Sequence, residues 1–84
     1  MAILTKKLDL ADGVWQEVGA ISFIFTKGTG HIIELVNADA LPNGTVEEAM
    51  LLSRADFQII PAPASGSYFV RVASGTGVLK YSEV

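Results

Sequence analysis

Eighty-four residues, half of them apolar and fewer than one in five charged, carry a formal net charge of −3 and no cysteine. That length fits one domain, spanning residues 1–84, and the missing cysteines exclude disulfides and zinc–thiolate sites. A single histidine, His31, cannot build a histidine-rich metal cage, and the scattered Lys6, Lys7, Lys27, Arg54, Arg71 and Lys80 give no basic stripe for nucleic acid.

Met1 to Leu10 lacks the continuous apolar stretch of a signal peptide and is expected to form an extended N-terminal arm. No run approaches the roughly 18 apolar residues of a membrane span, so no membrane partner is expected. After the Asp12-Gly13 turn, Val14-Trp15-Gln16-Glu17-Val18 reads as a first strand, with Trp15 as its anchor in the core. From Gly19 to Phe25 the side chains alternate: Ile21, Phe23 and Phe25 share one face, Ser22 and Ile24 the other. A tight hairpin through Thr26-Lys27-Gly28-Thr29-Gly30 is expected to lead into His31–Asn37. There Ile32 and Val36 flank Glu34 on the face opposite Ile33 and Leu35.

Pro42-Asn43-Gly44 marks a turn, and Thr45-Val46-Glu47-Glu48 fits a capping box, so one short helical turn near Glu47 is expected. Two short strands then follow, Met50–Ser53 and Asp56–Ile60, the second ended by Pro61 and Pro63. From Ser67 to Ala73, Tyr68, Val70 and Val72 face one way, Phe69 and Arg71 the other. A second hairpin, through Ser74-Gly75-Thr76-Gly77, is expected to enter Val78–Ser82, where Leu79 and Tyr81 alternate with Val78, Lys80 and Ser82. Short strands punctuated by turns predict an all-β chain, a small antiparallel β-sandwich or barrel-like fold.

Reactive chemistry is thin. His31, Ser22 or Ser53, and Asp39 supply the residue types of a catalytic triad, but no nucleophile-elbow motif supports one. Glu47 and Glu48 are adjacent and point apart, and Asp9 and Asp12 sit beside a turn without an alternating run of oxygen ligands. Gly28-x-Gly30 lacks the Lys and Ser/Thr of a phosphate loop, and Asn43-Gly44-Thr45 matches a glycosylation acceptor only formally. No catalytic, cofactor or metal site is therefore expected. Trp15 and Tyr81 offer an alternative of another class, a carbohydrate-binding module in which exposed rings stack on sugars.

A domain this small buries only about 60–65% of its unfolded surface, and half-apolar composition exceeds what such a core encloses. Self-association through apolar sheet surface is the expected outlet, with Ile24, Ile32, Val36 and Phe69 as contact residues because they sit opposite the predicted core face.

The order of Val14-Trp15-Gln16-Glu17-Val18, His31–Val36, Ala38-Asp39-Ala40-Leu41-Pro42, Tyr68-Phe69-Val70-Arg71-Val72-Ala73-Ser74-Gly75 and the final Val78–Val84 resembles small virion-associated β-sandwich proteins of tailed bacteriophages. The resemblance covers most of the chain from Leu10 onward and rests on turn-and-strand patterns. It implies a non-enzymatic structural protein of the virion, made in the host bacterial cytoplasm. Its role would be capsid decoration, head stabilisation or tail attachment. It implies as partners capsid or tail proteins and copies of the chain itself in a symmetric homo-oligomer, often a trimer. The acidic Thr45–Glu48 segment departs from the pattern.

Overall fold

Alternating apolar side chains give each segment one face to bury, and the chain responds with eight strands. The computed structural model describes residues 4–28, 32–52 and 58–84. The strands are β1 (Lys6–Ala11), β2 (Gln16–Gly19), β3 (Phe23–Lys27), β4 (Ile33–Ala38), β5 (Met50–Leu52), β6 (Gln58–Ile60), β7 (Ser67–Val72) and β8 (Thr76–Glu83). They form two four-stranded antiparallel sheets, ordered β1-β8-β3-β6 (sheet A) and β2-β7-β4-β5 (sheet B). The molecule is a β-sandwich, as the alternation predicts.

The pairs β1·β8, β2·β7, β3·β6 and β4·β5 each join strands whose numbers sum to nine. The chain is thus one long antiparallel ribbon, doubled back at the β4–β5 connection and rolled so that β8 also meets β3 and β7 meets β4. This is the double-sheet jelly roll of eight strands.

The topology corrects two expectations. Neither glycine-bearing loop closes a hairpin: β3 and β8 belong to sheet A while β4 and β7 belong to sheet B, so both loops are arches between the sheets. Between β7 and β8 only Ala73-Ser74-Gly75 intervenes, a short bend that carries the chain across the roughly 10 Å separating packed sheets. Gly75 turns the chain with φ +71°, while the Gly75 carbonyl accepts from Asp12 N at 2.8 Å and Ala73 N donates to the Ile32 carbonyl at 2.9 Å. From Lys6 onward the segment expected as an extended N-terminal arm is extended as strand β1, paired with β8 along its whole length.

The capping box does not start a helix. Ala49 N donates to the Val46 carbonyl at 3.3 Å, closing a single reverse turn, and the chain then extends into β5. Among the described residues there is no helix. Residues 53–57 and 29–31 lie outside the described residues, and with them His31, Ser53 and the first residues of the strand expected over Asp56–Ile60.

The core between the sheets holds Leu10, Phe23, Phe25, Leu79 and Tyr81 from sheet A against Ile33, Leu35, Leu52, Tyr68, Val70 and Val72 from sheet B. Phe23 is its centre, fully buried, with Tyr68 and Tyr81 set edge-on at ring centroid distances of 5.8 Å. Such edge-to-face pairs add about 0.5–1.5 kcal/mol each beyond area burial.

Candidate interaction surface

Sheet B has a second apolar face, and the chain covers part of it. Opposite the main core, Val36 of β4 and Phe69 of β7 meet Trp15 from the β1–β2 connection, with Ala38, Val46 and Ala49 packed around them. Residues 39–49, the one connection between the described strands that stays within one sheet, thus form a flap over the outer face of sheet B. Trp15 fastens the flap by donating Nε1–H to the Gly44 carbonyl at 2.8 Å. Beneath the indole, Arg71 Nε donates to Glu34 Oε1 at 2.7 Å, an ion pair whose side chains are only 11% and 13% exposed.

These contacts place the residues expected at an interface. Val36 and Phe69 face outward from sheet B, as their alternation predicts, but are buried within the chain's own second cluster. They offer nothing to another molecule while the flap is in place. Part of the apolar excess is absorbed here, in a second core that an outward-facing Val or Phe does not announce. Ile24 and Ile32 remain available: Ile24 is half-buried on the outer face of sheet A, and Ile32 is 45% exposed.

The rings expected to stack on sugars are both covered. Trp15 is 6% exposed under the flap, and Tyr81 is 7% exposed in the main core against Phe23. Neither presents a free face. Of the triad residue types, His31 and Ser53 lie outside the described residues, Ser22 Oγ donates to the Val84 carbonyl at 2.6 Å, and Asp39 lies exposed on the flap.

Sequence reasoning missed Met50, Leu51 and Ile59. Each lies in a three-residue edge strand, and they are 55%, 63% and 65% exposed. Ile59 stands directly opposite Ile24 across β3–β6, so the two form one apolar pair on the outer face of sheet A. Leu51 stands opposite Glu34, diagonal to Ile32, on the outer face of sheet B. The signal for Ile59 was its place beside Gln58 in a period-two run, readable only once the partner of β6 is known.

The two sides of the sandwich differ in kind. On one side the sheets end in β1 and β2, tied by a bridge between Ala11 and Val14. Their exposed side chains are Lys6, Lys7, Asp9 and Glu17. The free backbone of β1 is also capped: Gln16 Nε2 donates to the Asp9 carbonyl, and Val14 N donates to the Ala11 carbonyl at 3.2 Å. Charged residues and capped carbonyls keep an edge from pairing with another chain. On the other side β5 and β6 carry Met50, Leu51 and Ile59 with no charge among their six residues.

Fold and surface together define a jelly-roll β-sandwich with one guarded side and one apolar side. No known family model matches the chain, and no curated protein or solved structure matches it.

Proposed function

We propose that the protein is a non-enzymatic structural module that self-assembles through the apolar side of its sandwich. The observation that carries this reading is the asymmetry of the edges: β1 is charged and capped, whereas Ile59, Met50, Leu51 and Ile32 are left exposed around β5 and β6, with half-buried Ile24 beside Ile59. Burying such side chains is worth about 1.5–3 kcal/mol each when complete. The resemblance noted in the sequence gives the setting: a virion protein of a tailed phage, in capsid decoration, head stabilisation or tail attachment, meeting capsid or tail proteins as well as copies of itself. The jelly roll suits that setting, since the fold recurs in viral capsid domains, though it also recurs in lectins and the surface must decide.

Sedimentation velocity tests the reading. The wild-type chain is expected to form a discrete oligomer at micromolar concentration, and Ile59→Asp is expected to yield a folded monomer. A wild-type chain that stays monomeric at several hundred micromolar would refute it.

A further inference from the structure

The flap and the outer face of sheet A carry opposite charge. Lys80 stands directly opposite Lys7 on one neighbour and Thr26 on the other, making a row across β1-β8-β3. Lys27 lines the same concavity of about 460 Å³ with Val78 and Gly28. Lys7 and Lys80 are exposed at this hollow, whereas Lys27 is only 7% exposed, in a molecule of net charge −3. Asp9 lies 3.8 Å from Lys7. Like charges set directly opposite on neighbouring strands destabilise a sheet, so the Lys7–Lys80 juxtaposition costs stability in the isolated chain.

The opposite broad face is acidic. Between Asp39 and Ala49 the flap carries Asp39, Glu47 and Glu48, all exposed, and no lysine or arginine. Apolar surface accompanies the charge on both faces. Leu41 of the flap is 63% exposed, and Ile24 with Ile59 lies on the same outer face of sheet A as the lysine row.

We propose that the assembly is head-to-tail: the lysine row and the Ile24–Ile59 pair of one copy dock on the acidic flap of the next. The occupant is a second copy of this chain, and charge complementarity selects it. The two surfaces lie on opposite broad faces of a sandwich, 19 Å in its thinnest dimension, so one molecule cannot satisfy its own contact. A heterologous contact of this kind closes into a ring or continues into a filament; it does not stop at a two-fold dimer. Cross-interface Lys–Glu pairs set the register and speed the encounter, while the apolar residues supply the affinity. This inference rests on the self-assembly proposed above and adds which surfaces meet.

Charge reversal with rescue tests it. Sedimentation and light scattering are run on Lys7→Glu/Lys80→Glu, on Glu47→Lys/Glu48→Lys, and on an equimolar mixture of the two. Each variant alone is expected to weaken assembly about tenfold or more, the size expected on losing close charge pairs. The mixture is expected to recover, because both surfaces of each variant then meet an oppositely charged surface on the other. Wild-type assembly should also weaken as sodium chloride rises from about 0.05 to about 0.5 M, because the screening length falls from above to below about 10 Å. Circular dichroism confirms that each variant folds. Wild-type assembly indifferent to both reversals, or variants that weaken without rescue on mixing, would overturn the head-to-tail contact and leave self-assembly standing. A wild-type chain that never assembles would remove both.

Discussion

The guanidinium of Arg71 lies over the Trp15 ring, 4.9 Å from its centroid, and is bonded through Nε to Glu34. The arrangement joins three distant parts of the chain: β7, β4 and the β1–β2 connection. It also explains how a charged residue survives at 9% exposure between Val70 and Val72. Its charge is met on one side by a carboxylate and on the other by the face of an aromatic ring.

Removing one member of this pair is expected to cost more than removing both. Glu34→Ala leaves the Arg71 charge buried without its partner, and destabilisation of about 2–4 kcal/mol is expected. The double variant Glu34→Leu/Arg71→Met keeps the volume and lets a thioether rest on Trp15, so its stability is expected to stay within about 1 kcal/mol of wild type. Urea unfolding of the two variants checks this; a double variant no better than Glu34→Ala would show that the pair, not its desolvation, supports the sheet.

Trp15 is expected to control whether the flap stays down. Trp15→Phe keeps most of the packing but loses the Nε1–H bond to Gly44, a loss of about 0.5–1.5 kcal/mol. Trp15→Ala removes the centre of the second cluster, and about 3–5 kcal/mol is expected. Hydrogen exchange separates local from global effects: in Trp15→Ala, amides of residues 39–49 should exchange faster while those of Phe23, Phe25 and Leu79 stay protected. Uniform acceleration would mean that the two clusters unfold as one.

Much of this was legible from alternation. Phe23, Phe25, Leu35, Val70 and Leu79 lie inward as a period of two requires, and Ile24, Val36 and Phe69 lie outward. What alternation could not say is what lies over an outward face. Val36 and Ile24 read alike in sequence, yet the flap buries one and leaves the other half-open, because only sheet B is followed by a connection long enough to fold back. The arches were illegible for a related reason. A Gly-bearing loop of three to five residues serves a hairpin or a crossing equally well, and the choice depends on β1, β6 and β8, which pair with strands far along the chain. The capping box at Thr45 failed because Leu51 and Leu52 are claimed by the β4 edge, and pairing overrides a weak local preference for helix.

Phe69→Asp separates the inner from the outer apolar surface. Phe69 is 5% exposed in the second cluster, so a carboxylate there is expected to destabilise the chain by about 3 kcal/mol or more and to release the flap. Ile59→Asp, at 65% exposure, is expected to cost less than about 0.5 kcal/mol while abolishing assembly. Thermal unfolding paired with sedimentation should therefore show opposite outcomes: lost stability for the first, lost association for the second. Equal stability losses would contradict the assignment of these two residues to buried and free surface.

Two glycines with nearly the same backbone angle are expected to respond differently to a methyl group. Gly66 (φ +72°) and Gly44 (φ +73°) both adopt the left-handed region, which costs an alanine about 1–2 kcal/mol. At Gly44 the space beyond is open, and Gly44→Ala should cost no more than that. At Gly66 a Cβ would sit 2.6 Å from the carbonyl oxygen of Ala38 and 2.9 Å from its carbon, at the point where β7 begins to pair with the end of β4. Those atoms belong to the backbone and cannot rotate away, so a further 1–3 kcal/mol or so is expected from overpacking. For a domain of this size each kcal/mol lowers the melting temperature by about 4–8 °C. Gly66→Ala should thus melt about 8 °C or more below wild type, and clearly below Gly44→Ala. Matching melting temperatures for the two variants would mean that the Ala38–Gly66 contact relaxes freely, and that the β4–β7 register does not depend on this close approach.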